Sequence, residues 1–219
     1  MRKTTTIIAL LVLIAFGSTG AWASQPSKFW VVPAFGVRTS TSFGITSEEV
    51  EYTRIRFASG AAYGLSVGFQ LTEYISLEAM WSRQSSTVQG MIPGEEVDDP
   101  PTYESLFKTF EDQLHANIMI WSGYMIGPIK PYFMAGLGLT NLNPRTNFES
   151  LNRFSWSLGM GFETMVSNRL GLRVQGKFSP IYINTTDEII SEWVGGFNAS
   201  PARNTMTQWE FTAGLIVHF

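Results

Sequence analysis

From Gln208 to Phe219 the chain alternates without a break. Trp209, Phe211, Ala213, Leu215, Val217 and Phe219 share one parity; Gln208, Glu210, Thr212, Gly214, Ile216 and His218 share the other. A period of two marks a strand whose faces meet different surroundings. The same period recurs upstream. Phe154, Trp156, Leu158, Met160 and Phe162 alternate with Ser155, Ser157, Gly159, Gly161 and Glu163. Leu170, Leu172, Val174 and Phe178 alternate with Gly171, Arg173, Gln175 and Lys177. Tyr63, Leu65, Val67 and Phe69 face away from Gly64, Ser66 and Gly68, and Ile75, Leu77 and Trp81 from Ser76, Glu78 and Ser82. The pattern predicts eight strands, over residues 29–38, 56–70, 74–84, 109–122, 131–141, 153–165, 170–182 and 205–219.

The links have a rhythm. Those after the second, fourth and sixth strands are short: 71–73, 123–130 and 166–169. Those after the first, third, fifth and seventh are long: 39–55, 85–108, 142–152 and 183–204. An up-and-down meander then gathers every short link at one end and every long one at the other, with both termini at the short end. Pro93, Pro100 and Pro101 point to an irregular second long link rather than an extended hairpin. Pro33 interrupts the first strand and predicts a bulge or a shortened strand, whereas Pro180 falls where pairing of the seventh strand should be ending.

The two faces decide which solvent each one meets. In a soluble barrel the polar face would be outermost and rich in Lys, Glu and Asp. Here it is mostly Gly, Ala and Ser, which suits the crowded lumen of an eight-stranded barrel, while the bulky face suits lipid. Aromatic positions also sort by height. Phe29, Phe69, Phe133, Phe162 and Phe219 fall near the short-link rim, and Phe57, Trp81, Trp156, Phe178 and Trp209 near the other. Trp209 and Phe219 are ten residues apart. At about 3.3 Å per residue and a tilt near 40° that spans roughly 25 Å, the height of an apolar band. The expected architecture is all-β: an eight-stranded antiparallel up-and-down transmembrane β-barrel.

Composition refines this. Arg2 and Lys3, an apolar stretch over 7–16 and Ala21-Trp22-Ala23 read as a cleavable secretory signal over 1–23, leaving a barrel domain over 24–219. That apolar stretch is about half of what a spanning helix needs. With no cysteine there is no acyl-anchored thiol, disulfide or thiolate metal site. Without Arg2 and Lys3 the chain has thirteen basic and eighteen acidic residues, a balance of −5 that argues against nucleic acid as a partner. Twenty Gly, sixteen Phe, seven Trp and seven Tyr favour strands and turns over helix.

With these features, and with Lys130-Pro131-Tyr132-Phe133-Met134-Ala135-Gly136-Leu137-Gly138 and Thr212-Ala213-Gly214-Leu215-Ile216-Val217-His218-Phe219 reading as strand phrases, the chain resembles the small outer-membrane β-barrel proteins of Gram-negative bacteria. This is the porin-family group that includes OmpX, OmpW and the opacity proteins. The resemblance spans 24–219. It implies residence in the outer membrane and contact with outer-membrane lipid and lipopolysaccharide. It also implies that the barrel-assembly machinery reads the last strand, where Trp209, Phe211, Leu215, Val217 and Phe219 match the family's assembly signal.

Candidate chemistry is sparse. Parity places Glu78, His115, Glu163, Arg173, Lys177 and Glu210 in the lumen. A buried charge must be paired or hydrated, so the set reads as a salt-bridged interior or as a gated ion path. An enzyme needs a nucleophile beside a base. The chain has only His115 and His218. His115 is followed by Ala116 and Asn117, so it lacks the His-x-Ser arrangement familiar from lipid A deacylases. His218 lies at the short-link end. No catalytic, cofactor-binding or metal residue is expected, and no cofactor. The long links are acidic, with Glu48, Glu49 and Glu51 in the first, Glu95, Glu96, Asp98 and Asp99 in the second, and Asp187, Glu188 and Glu192 in the fourth. They suit solvated surface, divalent bridging to lipopolysaccharide phosphates, or a basic surface partner.

The function this favours is structural or interactive, in envelope integrity or adhesion through four long extracellular loops. The alternatives are a narrow channel or OmpW-like transporter of small, including hydrophobic, solutes, a lipid A-modifying enzyme, and a soluble barrel that carries a lipophile with its apolar faces turned inward.

Overall fold

A computed structural model describes residues 28–46, 54–92, 100–182, 200–201 and 205–219. The predicted signal segment, the three acidic clusters and Pro93 lie outside the described residues. Eleven strands are described: β1 (Phe29–Ser40), β2 (Phe43–Thr46), β3 (Arg54–Phe57), β4 (Gly60–Gln70), β5 (Ile75–Ile92), β6 (Thr102–Trp121), β7 (Ile129–Pro144), β8 (Leu151–Met165), β9 (Leu170–Tyr182), β10 (Ser200–Pro201) and β11 (Thr205–His218). Eight of them, β1, β4, β5, β6, β7, β8, β9 and β11, pair antiparallel around a closed ring. Closure is by β1 on β11, from Trp30 opposite His218 to Ser40 opposite Gln208, and the Phe219 amide donates to the Phe29 carbonyl. A closed ring leaves no barrel edge to pair with another chain.

Orientation follows the small face inward and the bulky face outward. Leu172 is 50% exposed while its neighbour Arg173 is 3%. Phe133, Leu137, Phe154, Leu158, Met160, Phe162, Val174 and Phe211 all stand on the outside. That surface is stable only where hydrocarbon is the solvent. Ring contacts mark its outer edge: Trp156 against Phe178, Phe178 against Trp209, Tyr63 against Trp81. At the other edge Phe29 packs on Phe69. Glycine on the inner face makes room for large lumen residues; a Cβ at Gly68 would overlap the Trp30 indole.

Four expectations need correction. The second predicted strand is two elements, since pairing breaks at Ala58 and Ser59 between β3 and β4. The second long link is mostly an extended hairpin. β5 and β6 pair continuously from Ile75 opposite Ile120 to Ile92 opposite Thr102, with one irregularity at Val88–Gln89. Pro100 and Pro101 sit just before β6 begins, so they end the ladder rather than disrupt it. Phe57 is not part of the outer aromatic ring. It is 2% exposed and points inward. Pro33 produces neither a bulge nor an early stop: the β1–β11 ladder skips Val32 and Pro33 and resumes at Ala34 opposite Gly214 in the same register. Between β8 and β9 the ladder likewise runs from Ser155 opposite Ile181 to Leu158 opposite Phe178 and skips Pro180. There the Ser179 hydroxyl donates to the Trp156 carbonyl at 3.2 Å, supplying the donor that proline lacks.

Candidate functional site: the polar lumen

Read from loop end to turn end, the inward positions of several strands change character twice. On β6 they run Phe107, then Thr109, Glu111, Gln113, His115 and Asn117, then Met119 and Trp121. On β11 they run Met206, then Gln208, Glu210 and Thr212, then Ile216. Inward side chains collect into two apolar clusters. Ile55, Phe57, Val88, Phe107, Leu142, Leu151, Ile181 and Met206 meet at the loop end. Trp30, Val32, Met119, Trp121, Tyr132, Met134 and Ile216 meet at the turn end. On these two strands the polar positions lie between the two clusters.

All six ionisable residues predicted for the lumen are there. Arg173 on β9 pairs with Glu163 on the adjacent strand, Nε to Oε1 at 2.6 Å, and reaches across the ring to Glu78 on β5. Its guanidinium also lies 5.4 Å from the centre of the Tyr132 ring, whose hydroxyl donates to Gln175 at 2.9 Å. Lys177 and Glu210 are cross-strand neighbours, Nζ to Oε1 at 3.3 Å, and Lys177 also donates to Gln113 at 2.9 Å. His115 Nε2 lies 3.1 Å from the Ser155 hydroxyl and 3.4 Å from that of Ser179. Two separate sets result: Arg173 with Glu78 and Glu163, and Lys177 with Glu210.

The centre of the second set was absent from the prediction. Arg38 is fully buried and pairs with Glu210, its register partner across the β1–β11 seam. It also donates to the Ser82 hydroxyl and, at 3.3 Å, to the Glu111 carbonyl. Gln113 bonds Gln208, and Gln208 bonds the Glu111 carboxylate, tying β6 to β11 across the lumen. The signal for these residues was present. Arg38 shares parity with Trp30, Val32 and Gly36, and Glu111 shares parity with His115.

The Ser155–His115 pair has the separation of a nucleophile and its base. Ser155 is 0% and His115 1% exposed, and among the described residues His115 Nδ1 has no hydrogen-bond partner. Among the described residues no group of three His, Asp or Glu side chains could hold a metal ion. The five side chains of the expected assembly signal lie on the outward face of β11 and the residue after it; Trp209, Phe211, Leu215 and Phe219 are exposed and Val217 is half-buried.

A closed eight-stranded barrel with a lipophilic exterior, aromatic edges and a filled polar interior defines an outer-membrane barrel protein. Residues 8–219 match the outer membrane protein beta-barrel domain, and the chain belongs to that family. No curated protein matches the chain by sequence. Among solved structures it is similar to Neisserial surface protein A, at 15% identity, TM-score 0.57, covering 88% of this chain and 98% of that one. The outer membrane protein OprG from Pseudomonas aeruginosa is similar at 12% identity, TM-score 0.53, covering 88% and 97%. The outer membrane protein AlkL, solved in lipid bilayers, is similar at 8% identity, TM-score 0.60, covering 91% and 94%. At these identities the likeness is one of fold.

Proposed function

We propose that the protein is a closed, non-enzymatic outer-membrane barrel whose work is structural or interactive, done by the loops and hairpin above the membrane. The observation that carries this reading is the apolar–polar–apolar order of the lumen. A conducting pore needs a continuous wet path. Here the ends are filled by aromatic and aliphatic side chains, and the middle is crossed by Arg173–Glu78 and Gln113–Gln208. The extended β5–β6 hairpin, with β3 paired to its upper part, supplies a rigid platform for surface contact. On the same reading the chain is exported through a cleaved signal over 1–23 and inserted by the barrel-assembly machinery. The outward side chains of β11 would dock while that strand is still unpaired.

Planar-bilayer recording tests the closed lumen. The full-length barrel is expected to give no steady conductance, and reproducible channels abolished by Lys177→Ala would replace this reading with transport. Unchanged lipid A mass spectra from cells with and without the protein are expected of a non-enzyme.

A further inference from the structure

All but one of the strand contacts in the ring join barrel strands that follow one another along the chain, so a connecting segment limits how far their registers can drift. The seam between β1 and β11 has no such connection. Its strands come from opposite ends of the barrel domain, and Arg38 and Glu210 lie 172 residues apart. The seam also has a gap, because Pro33 has no N–H to give and the ladder skips Val32 and Pro33.

Alternation leaves one ambiguity there. A slip of one residue would turn lumen side chains toward lipid, and the two faces exclude it. A slip of two keeps every side chain on its own face. Val37 would then meet Ala213 or Trp209 instead of Phe211, an apolar partner in each case. Lipid does not separate these registers, so specific side-chain pairs must.

The seam carries such pairs toward the loop end. Arg38 Nε donates to Glu210 Oε2 at 2.7 Å, the Gln208 amide donates to the Ser40 hydroxyl at 3.0 Å, and the Thr41 and Thr207 hydroxyls lie 2.8 Å apart. Only the first is an ion pair. With β1 slipped by two in either direction, Arg38 would face Thr212 or Gln208, and Glu210 would face Ser40 or Gly36, none of them charged. On its other side Glu210 is opposite Lys177 of β9, whose Nζ lies 3.3 Å from Oε1. One carboxylate oxygen is thus held within the β9–β11 contact and the other faces the seam.

We infer that Lys177, Glu210 and Arg38 form a register latch for ring closure. The β9–β11 contact presents the Glu210 carboxylate, and the Arg38 guanidinium selects the register of β1 in which the two are opposite. All three side chains are buried, so the attraction is little screened. A diagonal neighbour lies about 7–8 Å away against about 4.5–5.5 Å for an opposite one, so either slip weakens the contact where water cannot replace it. The latch is independent of what the loops contact.

The chain has no cysteine, so engineered pairs report register directly. The full-length protein is refolded from urea into phosphatidylcholine vesicles, folding is followed by heat-modifiable gel migration, and cysteines on the outer face are oxidised. Val37→Cys with Phe211→Cys reads the native register; Val37→Cys with Ala213→Cys or with Trp209→Cys reads a slip of two either way. Opposite residues lie about 5.5 Å apart and can be bridged, whereas diagonal ones exceed the limit of roughly 7 Å. With the latch intact only the 37–211 disulfide is expected. Arg38→Gln with Glu210→Gln removes both members of the ion pair together, and the slipped products should rise about tenfold. Arg38→Ser with Ser40→Arg keeps the charge and moves it two residues, so Glu210 should draw position 40 opposite it and the 37–213 yield should exceed the 37–211 yield. Folded barrels of either variant that still form only the 37–211 bond would overturn the proposal. So would failure of both variants to give a heat-modifiable barrel, which would make the pair a requirement for folding and not a choice of register.

Discussion

Arg38–Glu210 and Arg83–Asp112 are both cross-strand arginine–carboxylate pairs on this barrel, and they sit in opposite surroundings. Arg38 points into the lumen with no exposed surface, and it also donates to Ser82 and to the Glu111 carbonyl. Arg83 points outward with about a third of its side chain exposed (32%), its carboxylate further held by Trp81 Nε1 at 3.2 Å. Burial raises the stakes of the first pair. Desolvation cancels much of its Coulomb gain, yet loss of one partner strands a charge with no water to receive it. The second pair can rehydrate, so its loss costs little. Similar chemistry therefore closes the barrel in one place and presents charge to the membrane interface in the other.

The sharpest way to break this comparison is to remove the guanidinium that spans the lumen. Arg173→Met leaves Glu78 and Glu163 both buried and unpaired, and is expected to cost about 3–5 kcal/mol in urea unfolding from vesicles. Adding Glu78→Gln and Glu163→Gln should return most of that loss; failure of the triple variant to recover would show that Arg173 acts through packing rather than charge. A smaller effect is expected at the proline gap. Ser179→Ala removes the hydroxyl that serves the Trp156 carbonyl and should cost about 1 kcal/mol by the same assay. The smallest belongs to the outer pair. Arg83→Gln should shift stability by less than about 1 kcal/mol, and by less still in high salt. A loss at Arg83 as large as that at Arg173 would erase the distinction between the two regions.

Much of the molecule was legible along the chain because lipid makes each strand unambiguous. β9 and β11 are bounded where alternation bounds them, and Glu163, Arg173, Lys177 and Glu210 lie on the inward parity that the pattern assigns. Alternation alone misleads where the register between strands decides the outcome. The hairpin β5–β6 extends well above the predicted strands because outside the membrane its polar stretch, Ser85 to Gln89, alternates weakly. Phe57 has the height of an interfacial ring, yet parity within β3 turns it inward. Pro33 suggests a bulge or an early stop and Pro180 the end of pairing, whereas at both a single missing donor leaves register intact.

The chain's own alternation determined that this is a barrel, which side chains meet lipid and which ionisable groups enter the lumen, since a period of two needs no knowledge of neighbouring strands. Only the tertiary structure decided which of those groups meet. Arg173 reaches Glu78 from 95 residues away, and Arg38 finds Glu210 across 172. Such pairings depend on ring closure and stagger, which are properties of all eight strands together.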